Sequence, residues 1–409
     1  MSVISLPQNF ANRFSAKDKA IPLIDKIDMP LLVSALVLLG IGLVMVASSS
    51  ISIAERQLAD PLYYFWRQFT YSIVGLMAAG LVFKIPLSYL QKLGPALIVI
   101  SMILLLMVLI PGLGKEVNGS TRWLNLGIIS LQVSEFVKLA TVIYLAGYLV
   151  RHNEEVRTNL SGFLRPLGLI FIISSLLIFE PDFGAVAVIA MTAMGMLWLG
   201  GASFFQFIFL MLTMAAVLAL VAVSSPYRME RLTTFLNPWA DPFNSGFQLT
   251  QALISFGRGE WFGVGLGSSV QKLFYLPEAH TDFVFAVLAE ELGLFSVMIV
   301  IALFCFIVIR SLMIGRRAEK RERPFTAFVA YGLGIWLGLQ AFINVGVNMG
   351  VLPTKGLTLP LMSYGGSSLI IMCVVIAMLL RADYETRQFD RAGQSKGGKR
   401  KNSSVGAAW

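Results

Sequence analysis

Only two cysteines and two histidines occur in the 409 residues of this chain. Cys305 and Cys373 both fall inside apolar runs, which excludes a disulfide framework and a thiolate metal site. Charge is sparse as well: 13% of the residues are Asp, Glu, Lys or Arg, against 56% hydrophobic. A soluble core has no need of apolar runs about 20 residues long repeated along the whole chain, whereas a bilayer requires them. These runs leave no room for a separate soluble domain, although length alone would suggest two or three. A cleavable signal is also missing, because the first apolar run, Pro30–Ser50, follows a polar stretch and is long enough to stay as an anchor.

What the chain does contain is a series of spans near 30–50, 68–83, 95–111, 135–150, 167–180, 183–199, 204–224, 283–309, 326–348 and 368–380. This defines an all-α polytopic membrane protein of about ten transmembrane helices. Residues 1–29 form a cytoplasmic N-terminal segment, 30–380 the membrane domain, and 381–409 a basic cytoplasmic tail expected to be disordered. "EPDFG" (180–184) decides whether 167–200 is one tilted helix or two spans, and Pro181 and Gly184 favour a break. With both termini inside, Lys and Arg are more than twice as frequent on the inner segments as on the outer ones, as the positive-inside rule requires. The net charge of +9 then reflects basic loops beside anionic lipid, and no nucleic-acid partner is needed to explain it.

The same topology makes 225–282 a long extracytoplasmic loop. Within it, "NSGFQLTQALISFGRG" (244–259) has the pattern of a short amphipathic helix, with a Ser245…Gln248 capping box and Gly257 as its stop. Leu249, Ala252, Leu253 and Phe256 share one face. Such a helix fits equally a place in the lipid interface or one against the bundle.

Acidic residues concentrate where this loop ends, in "LPEAHTDFVFAVLAEELG" (276–293). Ionisable groups inside a bilayer cost about 2.5–3.5 kcal/mol on insertion scales, so they pair or face a cavity. Glu290 and Glu291 fit a proton relay or a hydrogen-bonded structural role. Asp282 differs, since it sits at the mouth of a span where a polar substrate has access, and a carboxylate there suits a general base. His280 is read as orienting the loop. Elsewhere on the outer side, Arg122 stands beside Trp123, and Glu135 and Lys138 lie at helical spacing as a mutually neutralising pair. "LPTKGLTLPLMSYGGSS" (352–368) offers Lys355 and, before a helix, the amides of Gly365–Ser368 as an anion site that includes Ser367 and Ser368.

Taken together, the block 237–293, "STRWLNLG" (120–127), "PDFG" (181–184) and "LPTKGLTLPLMSYGGSS" (352–368) resemble the SEDS family of shape, elongation, division and sporulation proteins, with the division branch the nearest. The likeness runs from about Asp28 to Tyr384. Two departures are visible: Val133 stands where relatives often carry proline, and Glu180 where glutamine is common. The resemblance implies a peptidoglycan polymerase that joins lipid II units on the outer face of the bacterial cytoplasmic membrane at the division septum. It places the family's essential aspartate on Asp282 and its functionally important cations on Arg122 and Lys355. It also implies a class B penicillin-binding transpeptidase of the FtsI type and other divisome membrane proteins as partners.

The chemistry is compatible with these residues. An acceptor sugar hydroxyl must lose a proton as it attacks an anomeric carbon bearing a lipid pyrophosphate. Pyrophosphate leaves readily, so one base and several cations, or a divalent metal ion at the pyrophosphate, meet the need. No cofactor is required otherwise. The competing reading is a lipid II flippase that would use Glu290, Glu291 or Asp182 in a polar passage. Against it, Arg122, Asp282 and Lys355 all fall on one outer side.

Overall fold

A computed structural model describes residues 27–117, 120–125, 130–223, 229, 234–354 and 356–405, with side chains to 389 apart from a few within 204–223. Lys355, residues 1–26 and the side chains of 390–409 lie outside that set. The described helices are α1 (Met29–Leu58), α2 (Tyr63–Lys84), α3 (Leu87–Leu109), α4 (Val133–Arg151), α5 (Asn153–Thr158), α6 (Leu160–Phe179), α7 (Phe183–Leu199), α8 (Phe204–Val223), α9 (Phe247–Gly259), α10 (Val284–Glu319), α11 (Pro324–Asn348) and α12 (Gly366–Val405). Between α3 and α4 an antiparallel sheet runs β1 (Gly114–Val117), β2 (Ser120–Asn125), β3 (Ser130–Gln132), in that order.

By length and composition seven helices could cross a bilayer: α1, α3, α4, α6, α10, α11 and α12 up to Phe389. α7 and the 204–213 part of α8 are apolar but shorter, and α2 has 22 residues. The break at 180–182 is present. Asp182 ends it by accepting a hydrogen bond from the Ala185 amide (3.2 Å), which caps α7.

Ion pairs define one end of the bundle. The Asp28 carboxylate accepts from Arg310 (2.6 Å) and caps α1 at the Leu31 amide (3.3 Å). Glu385 binds Arg323 (3.0 Å), Arg381 (2.8 Å) and the Leu87 amide at the start of α3 (2.9 Å). This basic end is the cytoplasmic one by the positive-inside rule. It also corrects the expected tail: α12 does not stop near 380 but continues as helix to Val405, and Asp383, Glu385 and Arg387 tie its first turns past the membrane to α1, α10 and the start of α11.

The opposite end is less regular. The small sheet, absent from the expected all-helical pattern, docks on α12: the Ser367 hydroxyl donates to the Ser130 carbonyl (2.7 Å) and accepts from the Gln132 amide (3.0 Å). α9 packs on α10, burying Leu249, Ala252, Ser255 and Gly259 and setting Phe256 5.9 Å from Phe285. Its expected signals are shifted. Ser245 makes no cap and bonds Asp241 instead (3.1 Å), while Gly257 lies inside the helix and the stop falls at Glu260.

α10 is interrupted at Gly293, whose φ of 73° and ψ of −178° belong to a region that only glycine occupies readily. The backbone groups that the break frees are taken by the turn after α9. Val264 and Gly265 donate to the carbonyls of Glu290 and Glu291 (3.0 Å each), and the Leu294 amide donates to Glu260 (2.9 Å). Irregular backbone at this depth is tolerable because it is buried in protein. A Cβ at Gly293 would stand 2.4 Å from the Gly263 nitrogen. Gly293→Ala is therefore expected to lower the apparent unfolding temperature in detergent by several degrees, from backbone strain of about 1–3 kcal/mol plus the clash. An unchanged melting curve would mean that the break is not fixed.

Candidate functional site

Three segments with little regular structure meet at the outer end: 180–184, 276–283 and 356–358. Asp282 closes the second. Its turn is drawn tight by Glu278, whose carbonyl accepts from the Thr281 and Phe283 amides (3.1 Å each) and whose carboxylate accepts from the Thr281 hydroxyl (2.7 Å). The Asp282 carboxylate lies against the third segment, where a Cβ at Gly356 would come within 2.8 Å of Asp282 Oδ2. Any side chain larger than that of glycine would push the carboxylate aside. Leu357 in turn fills the space left by Gly184, joining the third segment to the first.

Two asparagines on α11 hold this junction. Asn348 Nδ2 and Asn344 Nδ2 both donate to the Asp282 carbonyl (2.9 Å each), and Asn344 Nδ2 also donates to the Leu357 carbonyl (2.6 Å). Asn348 Oδ1 accepts from the Ala286 amide (3.1 Å), supplying a partner to the first turn of α10. One turn further along α11, Gln340 donates to the Thr358 carbonyl (3.1 Å) and accepts from Lys138 (2.7 Å). The sequence reading passed over Gln340, Asn344 and Asn348. Their signal was present as one polar stripe at i, i+4 and i+8 inside an otherwise apolar span.

The electrostatics favour a base near neutrality. Burial pushes the Asp282 carboxyl up to about 7, with Glu278 adding to the shift, Arg122 pulling the other way and Asp182 adding a smaller rise. Arg122, on β2, is held by the carbonyls of Glu180 (3.3 Å) and Pro181 (2.5 Å), so its charge is fixed beside the first segment and reaches Asp282. Glu180 is fully buried, and neither of its carboxyl oxygens has a hydrogen-bond partner among the described residues. Burial, helped by the neighbouring Asp182 charge and opposed by Arg122, pushes it up to about 8. It is therefore neutral at pH 7, a close stand-in for the glutamine that the family resemblance leads one to expect there.

The remaining candidates separate by their partners. Lys355 lies outside the described residues. Ser367 and Ser368 are buried and bonded within the protein, Ser368 to Thr358 (3.0 Å), so their hydroxyls do not face outward as an anion site needs. Glu135 and Lys138 pair at 2.8 Å, both buried. His280 packs tilted between Tyr64 and Tyr364, its carbonyl accepts from the Tyr364 amide (3.0 Å), and burial lowers its pKa, so it is a neutral spacer. Glu290 pairs with Arg258 (2.9 Å), and Glu291 pairs with Lys272 (2.7 Å) and accepts from Ser48 (2.7 Å). Among the described residues no group of three or more His, Cys, Asp or Glu side chains could hold a metal ion.

Seven helices among the described residues long and apolar enough to cross a bilayer, with a guarded carboxylate and a fixed guanidinium at the outer end, define a polytopic membrane protein with a polar site at one face. The chain belongs to the cell cycle protein family of FtsW, RodA and SpoVE, whose profile matches residues 29–388. It is 60% identical over 360 residues to a protein of Nitrosococcus halophilus named "Probable peptidoglycan glycosyltransferase FtsW", covering 88% of this chain and 93% of that one. Among solved structures it is similar to one described as a peptidoglycan synthase complex that coordinates polymerization and crosslinking (27% identity, TM-score 0.72, 88% of this chain and 99% of that one). It is also similar to the rod shape determining protein RodA of Thermus thermophilus (25% identity, TM-score 0.66, 88% and 98% covered).

If Asn348 acts as a donor to Asp282, the charge state of its replacement should matter. Asn348→Ala is expected to cost about 1–3 kcal/mol by leaving buried groups unpaired. Asn348→Asp should be worse, since it sets an acceptor against the Asp282 carbonyl. Unfolding curves in detergent that rank the two variants the other way would rule out the donor role.

Proposed function

We propose that this chain is a peptidoglycan glycosyltransferase that joins lipid II units into β-1,4 glycan strands, with Asp282 as the general base. The acceptor's GlcNAc 4-hydroxyl gives its proton to the Asp282 carboxylate as its oxygen bonds to the anomeric carbon of the MurNAc at the end of the growing strand. The bond from that carbon to the lipid pyrophosphate breaks with inversion, and the pyrophosphate departs with the electron pair. Arg122, and Lys355 by family resemblance, offset the charge that grows on it. The observation that carries this reading is the placement of Asp282: half-buried at the outer mouth, braced through its own carbonyl, with its carboxylate left free of ion pairs among the described residues.

The transport reading has less support. Its intramembrane acids, Glu290 and Glu291, are committed to Arg258 and Lys272, and Asp182 caps a helix. The septal site of action in a bacterial inner membrane is part of the same proposal. So is a crosslinking transpeptidase partner of the FtsI type, to which the likeness to a peptidoglycan synthase complex lends support.

In detergent, purified protein given labelled lipid II should form strands, and Asp282→Asn should reduce the rate by roughly 10²–10⁴-fold without changing yield. Normal turnover by that variant would end the assignment.

The pH profile offers a second check. A base must be ionised, so kcat/KM should be half-maximal near pH 7, level off above it and fall toward tenfold per unit below it. Glu278→Gln removes a negative neighbour, lowers the Asp282 pKa and should move this limb to lower pH. A limb unmoved by that substitution would mean that another group titrates.

A further inference from the structure

The reaction proposed above needs two lipid-linked diphosphates at once, one on the strand end and one on the incoming unit. Arg122 and Lys355 serve the one that leaves. A second cation stands at the start of α2, linked by aromatic contacts to the turn that carries Asp282. Arg67, one turn into α2, donates to the hydroxyls of Tyr63 (2.9 Å) and Tyr71 (2.8 Å), and its guanidinium lies 5.5 and 5.7 Å from their ring centres. Among the described residues no carboxylate stands within ion-pair distance of it. Two phenol hydroxyls hold the guanidinium without neutralising it, so its full positive charge stays available to an anion.

The spacing suits the acceptor. Ring-to-ring steps of 5.4 Å (Tyr63 to Tyr64) and 4.7 Å (Tyr64 to His280) lead from Arg67 toward the turn that carries Asp282. Tyr364 closes the row, 5.2 Å from Tyr64 and 5.5 Å from His280. These rings are half-buried rather than packed away. A disaccharide with its free hydroxyl at Asp282 and its diphosphate at Arg67 would lie along them, and aromatic faces are good partners for sugar rings. The neighbouring Gln68 ties this helix to the Ser363 carbonyl (3.0 Å), which fixes the row relative to the third segment.

We propose that Arg67, clamped by Tyr63 and Tyr71, binds the diphosphate of the acceptor lipid, with Tyr64 and Tyr364 as the platform for its sugars. This rests on the polymerase reading and adds the site that holds its second substrate.

The test uses the full chain in detergent, with undecaprenyl diphosphate as the binding probe and lipid II as the kinetic substrate. Native mass spectrometry should find two probe molecules on the wild type and one on Arg67→Ala. KM for lipid II should rise roughly 10- to 100-fold in that variant, the loss expected for a charge-assisted hydrogen-bonded contact, with a smaller effect on kcat. Arg67→Lys should recover part of the loss, and Tyr63→Phe with Tyr71→Phe, which keeps the charge but not its clamp, should raise KM several-fold. Two probe molecules on Arg67→Ala would overturn the proposal, as would a wild-type KM in a correctly folded double tyrosine variant. Displacement of the probe at this site by phosphatidylglycerol as readily as by undecaprenyl diphosphate would also overturn it, since the site would then hold a phospholipid headgroup. If the wild type forms no strands, the polymerase reading itself fails, whatever the binding stoichiometry.

Discussion

The outer end of this protein depends on two amide side chains that hold one backbone carbonyl. Segments without regular structure carry unpaired peptide groups, and at the edge of a bilayer those groups need partners from the protein. Asn344 and Asn348 meet that need for Asp282, and through Leu357 and Ala286 they fix where the turn stands relative to α10 and the 356–358 segment. Because both asparagines bind the main chain, the Asp282 carboxylate is held in place without being neutralised. Direct hydrogen bonds to the carboxylate would have lowered its pKa. With the carboxylate left out of those bonds, burial and the neighbouring Glu278 charge push it up to about 7.

The acids deeper in α10 show the opposite solution. Glu290 and Glu291 lie just before the Gly293 break and are anchored by Arg258, Lys272, Ser48 and Ser269. Removing one partner from the fully buried Lys272–Glu291 pair costs about 3–5 kcal/mol, which makes these acids a latch between the outer loop and the helix. Each carboxylate accepts from both side chains and backbone amides, and the carbonyls of the same residues accept from Val264 and Gly265. Two carboxylates eight and nine positions beyond the base therefore belong to the scaffold. Glu180 shows a third solution, since burial keeps it neutral and it fills a polar position at no cost in charge.

Much of the architecture is legible in the chain, because span length, loop charge and breaker residues are local properties. The break at Pro181, the neutralising pair Glu135–Lys138 and the placement of Asp282 at a helix mouth all follow from spacing along one element. The small sheet escaped because β1, β2 and β3 are three to six residues long, too short for periodicity to register against a membrane-like background. The α9 boundaries moved because Ser245 found Asp241, a competitor that the capping pattern does not weigh. The helical continuation past Arg381 was missed because its polar residues look like a tail until ion pairs to other helices are known.

By itself the sequence determined that the chain crosses a membrane many times, which ends face which side, and that a lone acid stands at an outer mouth. These follow from hydrophobic length and from charge, which act residue by residue. Only the tertiary structure decided which acids are free and which are paired, since Asp282, Glu290 and Glu291 share one short stretch and differ solely in what the distant segments 48, 258–272 and 344–356 bring to them. It likewise decided that Arg67 faces tyrosines and, among the described residues, no carboxylate. The physical reason is that ionisation and hydrogen bonding depend on neighbours in space, and for these acids the neighbours come from other elements, 19 to 243 residues away along the chain.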